Sequence, residues 1–481
     1  MSTEAERAHS DQATLREDAE DVHGPRQVSL WDSALAEGRK AFLKSALLGL
    51  VLTTLCMFAV LPIYWGAYFR QEENLYRLTV ALVDLDSPGA AAAGRTPALG
   101  PALTASPAAI DSAQEYHLGF NVIDNTPFDI SAATGSSPRG LDVHEWAAHA
   151  IQDEDYFGVI IANANATTSA VSAFEQLISG TQQVQYQSQG ALSMYYSEGR
   201  NFETMDQWVA PGMTRLINTY VMPDAGSALV AQVAPRLSAL TADQYGAINR
   251  TALASVMSKP FSPATWNIRP ISEFAGIPAT SVGMLYLLVF TYFISLFWFI
   301  ARQPIERKLR LPDLVALRLL VPVVQYLFIS LWISLVTMAF GVTFERYYGH
   351  GGFPLFWLSN FLAQWGSGMP MEIALAFLGP RYTAFFLVFW IILNVSVSFI
   401  DIADQSHFYS YGFILPIYQA VQNGKTIAFG TKNRFAQYFG VEVAWVIVGS
   451  VALVGVVIFQ RKQQERQKAA ERRREKEGKA Q

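Results

Sequence analysis

The sequence predicts a polytopic α-helical membrane protein with six transmembrane helices and an α+β extracytoplasmic domain between helices one and two. Three observations carry that reading. Charged residues make up only 16% of the 481 positions and hydrophobic residues 51%, whereas a soluble domain carries about 25% charged residues. Six runs are free of charge over the length that a helix needs to cross lipid, about 20 residues, because only a helix satisfies its own backbone there. Residues 70–281, a domain-sized stretch, separate the first two of these runs.

The six runs are residues 45–65, 282–301, 319–343, 353–371, 382–400 and 443–460. The fourth keeps its apolar pattern past Glu372 to Leu378. The first follows some forty polar, acidic residues and is longer than a signal-peptide core, so it reads as a signal anchor. Residues 408–418 are apolar but too short to span and contain Pro416, which fits a re-entrant or interfacial segment. The resulting layout is a cytosolic disordered tail over 1–41, helix one over 42–66, the outer domain over 67–281, a five-helix domain over 282–460 and a basic cytosolic tail over 461–481.

Basic residues set the orientation. Arg39, Lys40 and Lys44 precede helix one, five basic residues lie in the loop from Arg302 to Arg318, and nine lie after Gln460. Six crossings put all three regions on one side, so both termini are expected in the cytosol. In the outer domain, residues 77–84 alternate and are rich in β-formers, 156–162 form a second, buried strand and 117–123 a third. Residues 87–109 are rich in Ala, Gly and Pro and read as a mobile loop. From Thr168 to about Leu240 the pattern is helical, so strands come early and helices late. Asn165 and Asn249 head glycosylation sequons on this domain.

Several function classes are excluded or weakened. A net charge of −5 without a basic stripe argues against a nucleic-acid partner. Cys56 is the one cysteine, which leaves no intramolecular disulfide and no thiolate metal cluster. His144 and His149 flank a zinc-protease-like segment, but five residues apart they do not share a helix face. Gly424-Lys425-Thr426 resembles the end of a phosphate loop, yet Gln419 stands where the first glycine is required. No nucleophile elbow or dinucleotide fingerprint appears. The expectation is a protein without cofactor that is not an enzyme.

Glu372 is the ionisable residue singled out in the bundle. It reads either as part of a pathway or proton relay, or as a carboxylate near the inner end of its helix that snorkels to the interface. Gly366, Gly368 and Pro370 interrupt helix four, and a broken helix at membrane depth points to a binding site. Asp401 and Asp404 read as solvated caps at the outer end of helix five. Pro62 and Pro322 kink helices one and three.

Four stretches carry a family resemblance. They are Tyr64-Trp65-Gly66-Ala67-Tyr68 followed by residues 78–86, then residues 158–168, then residues 389–397, and last Tyr409-Ser410-Tyr411-Gly412-Phe413 with Pro416 and residues 429–433. With the order of one helix, an outer domain and five helices, they make the chain resemble the fungal nitrosoguanidine-resistance membrane protein family. That family is similar to the type-2 ABC permease-like membrane domain of bacterial phage-infection-protein-like proteins. The resemblance covers about residues 42–460 and carries over no catalytic residues. It implies resistance to toxic small molecules at a fungal plasma membrane through export. The expected partners are membrane lipids and small-molecule toxicants, with a protein partner or a homo-oligomer open. The competing reading is a plasma-membrane organiser or signalling partner that transports nothing and confers resistance indirectly.

Overall fold

The computed structural model describes residues 32–128, 140–181, 184, 186–306 and 308–480. The chain divides into two compact units, residues 1–59 and 60–481. The tail expected over 1–41 lies outside the described residues up to position 31. From Ala36 the chain is already helical, because α1 is Ala36–Tyr68. The second unit holds both a sheet-bearing lobe and a helical bundle.

The lobe is built on a five-stranded sheet in the order β2-β1-β3-β4-β5. Its strands are β1 (Thr79–Asp84), β2 (Gly119–Ile123), β3 (Gly158–Ala162), β4 (Leu192–Tyr196) and β5 (Pro263–Asn267). β1 runs parallel to β2 and β3, β4 is antiparallel to β3, and β5 is parallel to β4. The register pairs Val80 with Gly158 and Leu82 with Ile160. Successive side chains leave opposite faces of a strand. Val80, Leu82 and Ile160 therefore join one apolar cluster, while Ala81, Val83, Val159 and Ile161 join another. Helices cover both faces, which explains why β1 and β3 are continuous apolar runs rather than alternating ones. α2 (Asp86–Ala92), α3 (Leu99–Ser112) and α5 (Ala166–Ile178) lie on the first face, and α4 (Val143–Gln152) on the second.

Three expectations change here. Strands and helices interleave instead of coming in two blocks. Residues 87–109 are mostly α2 and α3, not a loop: the alanines are the strongest helix formers, and Pro88 and Pro101 fall in first turns, where a missing N–H has no intrahelical partner to lose. β4 breaks the helical stretch expected over 168–240. Beyond it, Phe202–Thr204, Ala210–Leu216 and α6 (Met222–Ser238) are joined by π-helical turns at Met205–Val209 and Ile217–Val221.

The bundle contains α7 (Leu285–Glu306), α8 (Leu311–Ala339), α9 (Gly352–Ser398), α10 (Pro416–Phe429) and α11 (Phe435–Ala480). Together with α1, four of these give, among the described residues, five helices long and apolar enough to cross a membrane. α10, at 14 residues, is not one of them. Phe297, Trp332, Phe377 and Val451 are exposed on the spanning helices, as lipid-facing side chains are.

α9 has 47 residues, about 70 Å of helix against roughly 30 Å of hydrocarbon. Gly379 divides it, with φ 69° and ψ 171°, a conformation open almost only to glycine, and Pro380 follows. The break expected at Gly366, Gly368 and Pro370 is therefore at Gly379. The helix runs unbroken through 366–370, because tertiary packing outweighs the local cost of those residues.

The loop expected from Arg302 to Arg318 is much shorter. α7 continues to Glu306 and α8 begins at Leu311, so Arg302 and Arg318 lie inside the bundle, both buried. The apolar segment at 408–418 divides into a 3-10 stretch, His407–Ile414, and the start of α10.

Candidate functional site

Sequence spacing aligns the interior of the bundle. On α9, Asn360, Gln364, Gly368 and Glu372 recur every four residues, and Ser359, Ala363, Ser367 and Met371 form the adjacent row. Residues four apart stack on one helix face, and all eight are buried. α8 meets this face with Arg318, Pro322, Tyr326, Ser330 and Ser334, also four apart and buried. The helices therefore pack two partly polar seams against each other within an apolar shell.

The upper part of the seam centres on Glu442 of α11, which is completely buried. Ser359 Oγ donates to Glu442 Oε1 at 2.8 Å, and Asn423 Nδ2 of α10 approaches the same oxygen at 3.4 Å while donating to Ser359 Oγ at 3.0 Å. Asn360 Nδ2 donates to Ser334 Oγ at 3.0 Å. Below lies Gln364, with neither its carbonyl nor its amino group hydrogen-bonded among the described residues. Ser367 Oγ, Asn360 Oδ1, Asn423 Oδ1 and Glu442 Oε2 also make no such bond. Leaving buried polar atoms unpaired costs about 1–3 kcal/mol each, so this seam is suited to water or a polar solute rather than to stability.

The lower part is a charge cluster. Arg302 Nη1 donates to Glu372 Oε2 at 2.9 Å, with both side chains fully buried. Arg302 Nε lies 3.3 Å from Glu306, which also pairs with Arg318. Arg318 Nη1 donates to Gln460 Oε1 at 3.1 Å, and Gln460 Nε2 donates to the carbonyl of Ala376 at 2.7 Å. Two arginines and two glutamates balance. A polar cavity of about 310 Å³ opens beside them, lined by Glu306, Arg318, Gln460, Gln463 and Gln464. From Ser359 to Glu372 the seam runs about 20 Å at 1.5 Å per residue.

Of the residues anticipated from sequence, Glu372 sits at the centre of the lower cluster, held by Arg302 rather than snorkelling outward. Gly366 and Gly368 sit on the seam in packing roles: a Cβ would lie 2.9 Å from Trp445 Cβ at the first and 2.4 Å from the Tyr326 hydroxyl at the second. Small residues of this kind let membrane helices approach closely. Pro370 is half-buried within the same turn. Sequence reasoning missed Glu442, which falls one residue before the sixth apolar run, and the four-residue polar spacing of α9, which was present in the sequence.

Asn165 and Asn249 lie on the lobe, away from the seam. Asn165 precedes α5 with φ 65°, and Asn249 Oδ1 accepts from the backbone of Ala252 at 3.1 Å.

The lobe is fastened to the bundle by polar contacts. Arg200 lies 3.6 Å from Asp401 and stacks 3.5 Å over the ring of Phe157. Gln71 Nε2 donates to Asp404 at 2.7 Å, and Gln152 Nε2 and Arg269 Nε both donate to the carbonyl of Gly430, at 2.9 and 2.8 Å. Asp401, expected as a solvated cap at the end of helix five, instead caps the 3-10 turn Ile402–Asp404 by accepting from Ala403 N, and lies partly buried beside Arg200. Asp404 is not a solvated cap but fully buried. Burial, reinforced by the charge of Asp401, pushes its carboxyl up to about 7 against the pull of Gln71 and Arg77. Lys425, within α10 rather than at a strand-to-helix turn, is pushed down to about 8 by burial.

The profile of one protein family matches residues 49–451 of the chain. The chain belongs to that family, DUF3533, described as a protein of unknown function. It is also 22% identical over 421 residues to an uncharacterized endoplasmic reticulum membrane protein of Saccharomyces cerevisiae, covering 86% of this chain and 79% of the relative. No solved structure matches. With its long apolar helices, the chain is a multi-pass helical membrane protein.

Proposed function

We propose that this member of the family is a permease-like transporter that carries toxic small molecules out through its helical bundle, alone or as a component of an efflux assembly. The observation that carries the reading is the buried polar seam of α9. It places Asn360, Gln364, Ser367 and Glu372 on two adjacent rows of one helix face inside an apolar bundle and leaves several of their polar atoms unpaired. Ionisable and polar groups within a membrane mark substrate and ion paths, and no demand of packing calls for Gln364.

In this reading the two halves of α9 cross the membrane separately, on either side of Gly379, which makes six crossings with α1. Both termini are cytosolic and the lobe is extracytoplasmic, with Asn165 and Asn249 as glycosylation sites. The chain works as a carrier rather than an enzyme, in contact with membrane lipids. The resemblance to the nitrosoguanidine-resistance proteins supplies the substrate class and the plasma membrane. The endoplasmic reticulum name of the yeast relative favours an earlier station on the same secretory route, and imaging of the tagged protein separates the two.

The test is drug accumulation. Cells lacking the gene are expected to accumulate more of a nitrosoguanidine-type alkylator and to be more sensitive to it, with Gln364→Leu behaving like the deletion. Unchanged accumulation in both strains would remove the transport reading. It would favour instead a membrane organiser that acts through the lobe's contacts.

A further inference from the structure

The fully buried Glu442 has a setting unlike that of Glu372. Glu372 faces a guanidinium at 2.9 Å. Glu442 meets only neutral hydrogen-bond partners: Ser359 from α9 and Asn423 from α10. No lysine, arginine or histidine lies within ion-pair distance among the described residues. Lys425, on the same helix as Asn423, interacts with Asp401 and Glu154, and Arg434 with Glu154. Oε1 is served by the two neutral partners, and Oε2 has none.

A carboxylate withdrawn from water with no cation beside it bears the full desolvation cost of its charge. Carrying a proton removes that cost. We propose that Glu442 is a proton-carrying site on the bundle seam, loading and releasing a proton through the unpartnered polar atoms of Asn423, Asn360 and Gln364. The inference deepens the transport reading, on which it rests for its purpose: export would be driven by the proton gradient. As a statement about where a proton sits, it stands without that reading.

The infrared spectrum of the purified full-length protein in lipid vesicles tests the site. At pH 7 an ordinary glutamate, with a pKa of about 4.3, is ionised. The wild type is expected to show the carbonyl band of a protonated carboxyl group, shifted in heavy water as hydrogen exchanges. That band should be lost in Glu442→Gln, displaced in Glu442→Asp and retained in Glu372→Gln. Asp404→Asn serves as the background that removes a second fully buried carboxyl group. Identical spectra for wild type and Glu442→Gln in that background would overturn the proposal, and so would a band that responds to sodium rather than to pH.

A second arm separates this claim from the transport reading. Drug efflux from cells should be lost on adding an uncoupler and equally in Glu442→Gln, with the variant's thermal midpoint retained. Efflux that ignores both the uncoupler and the variant refutes the proton coupling and leaves transport standing. A pH-dependent band in a protein that moves no drug refutes transport and leaves the proton site standing.

Discussion

Asp86 in the sheet lobe and Gln364 in the bundle are both completely buried, yet the chain treats them oppositely. Asp86 accepts from four donors: the backbones of Leu99, Gly100 and Thr167, at 3.3, 3.2 and 2.7 Å, and the Thr167 hydroxyl at 2.5 Å. A single carboxylate thereby ties down the first turns of α3 and α5, where free N–H groups and the helix dipole favour a negative charge. Gln364 is given no partner at either end. Buried polarity at Asp86 is scaffold, whereas at Gln364 it is left open. The difference teaches where stability has been traded for something else, because unpaired polar atoms persist in proteins chiefly where function needs them.

Breaking the lobe side of the comparison should have the largest effect. Asp86→Ala strands three donors, since the Leu99 N–H keeps Thr167 Oγ1 at 3.2 Å; at about 1–3 kcal/mol each, a loss of about 3 kcal/mol or more is expected. The check is thermal unfolding of the purified protein together with its yield. A loss below about 1 kcal/mol would show that α3 and α5 are held by packing alone.

The charge cluster comes next. Arg302→Met leaves Glu372 buried and unpaired, which costs about 3–5 kcal/mol. Adding Glu372→Leu should recover most of that loss, since a buried ion pair replaced by apolar side chains is often neutral. If the double variant stays as unstable as the single one, the pair does more than balance itself. Gly368→Leu should follow at about 1–3 kcal/mol of overpacking against Tyr326, read by the same unfolding experiment.

The joint between lobe and bundle gives a pH signature. Asp404 titrates near 7 in the folded protein and near 3.9 when unfolded. A raised acid binds its proton more tightly in the folded state, so its stabilisation is complete below about pH 4 and lost as pH rises through 7. Asp404→Asn mimics the protonated form and keeps an acceptor for Gln71. It should leave stability nearly unchanged at pH 4 and add up to about 4 kcal/mol at pH 8, at about 1.4 kcal/mol per unit of pKa difference. Equal effects at the two pH values would contradict the assignment.

Much of the bundle was legible in the sequence, because lipid imposes a length and an absence of charge that a single chain displays directly. The run over 282–301 lies within the helical stretch that ends with α7, and 319–343 coincides with most of α8. Glu372 stood out for the same reason. The lobe was only partly legible. β1 announced itself by its β-forming residues and β3 by a buried apolar run, but β4 and β5 follow glutamine- and proline-containing stretches that give no period. The seam was hidden for a different reason: serine, asparagine and glutamine do not interrupt an apolar run as charges do, so a scan for charge passes over Asn360 and Gln364. Glu442 was lost at a boundary, and Arg302 and Arg318 looked like loop charges because only their partners across the bundle show that they are buried.

The central claim, that the seam is a wetted path and not a dry core, has a direct measurement. Cys56 is the native thiol, so a Cys56→Ser background carries single cysteines cleanly. In membranes, Gln364→Cys and Ser367→Cys should react with a small water-soluble thiol reagent, while Leu453→Cys, at a fully buried apolar position of the same bundle, should not. If all three cysteines stay equally unreactive, the seam is dry and the account of the bundle fails.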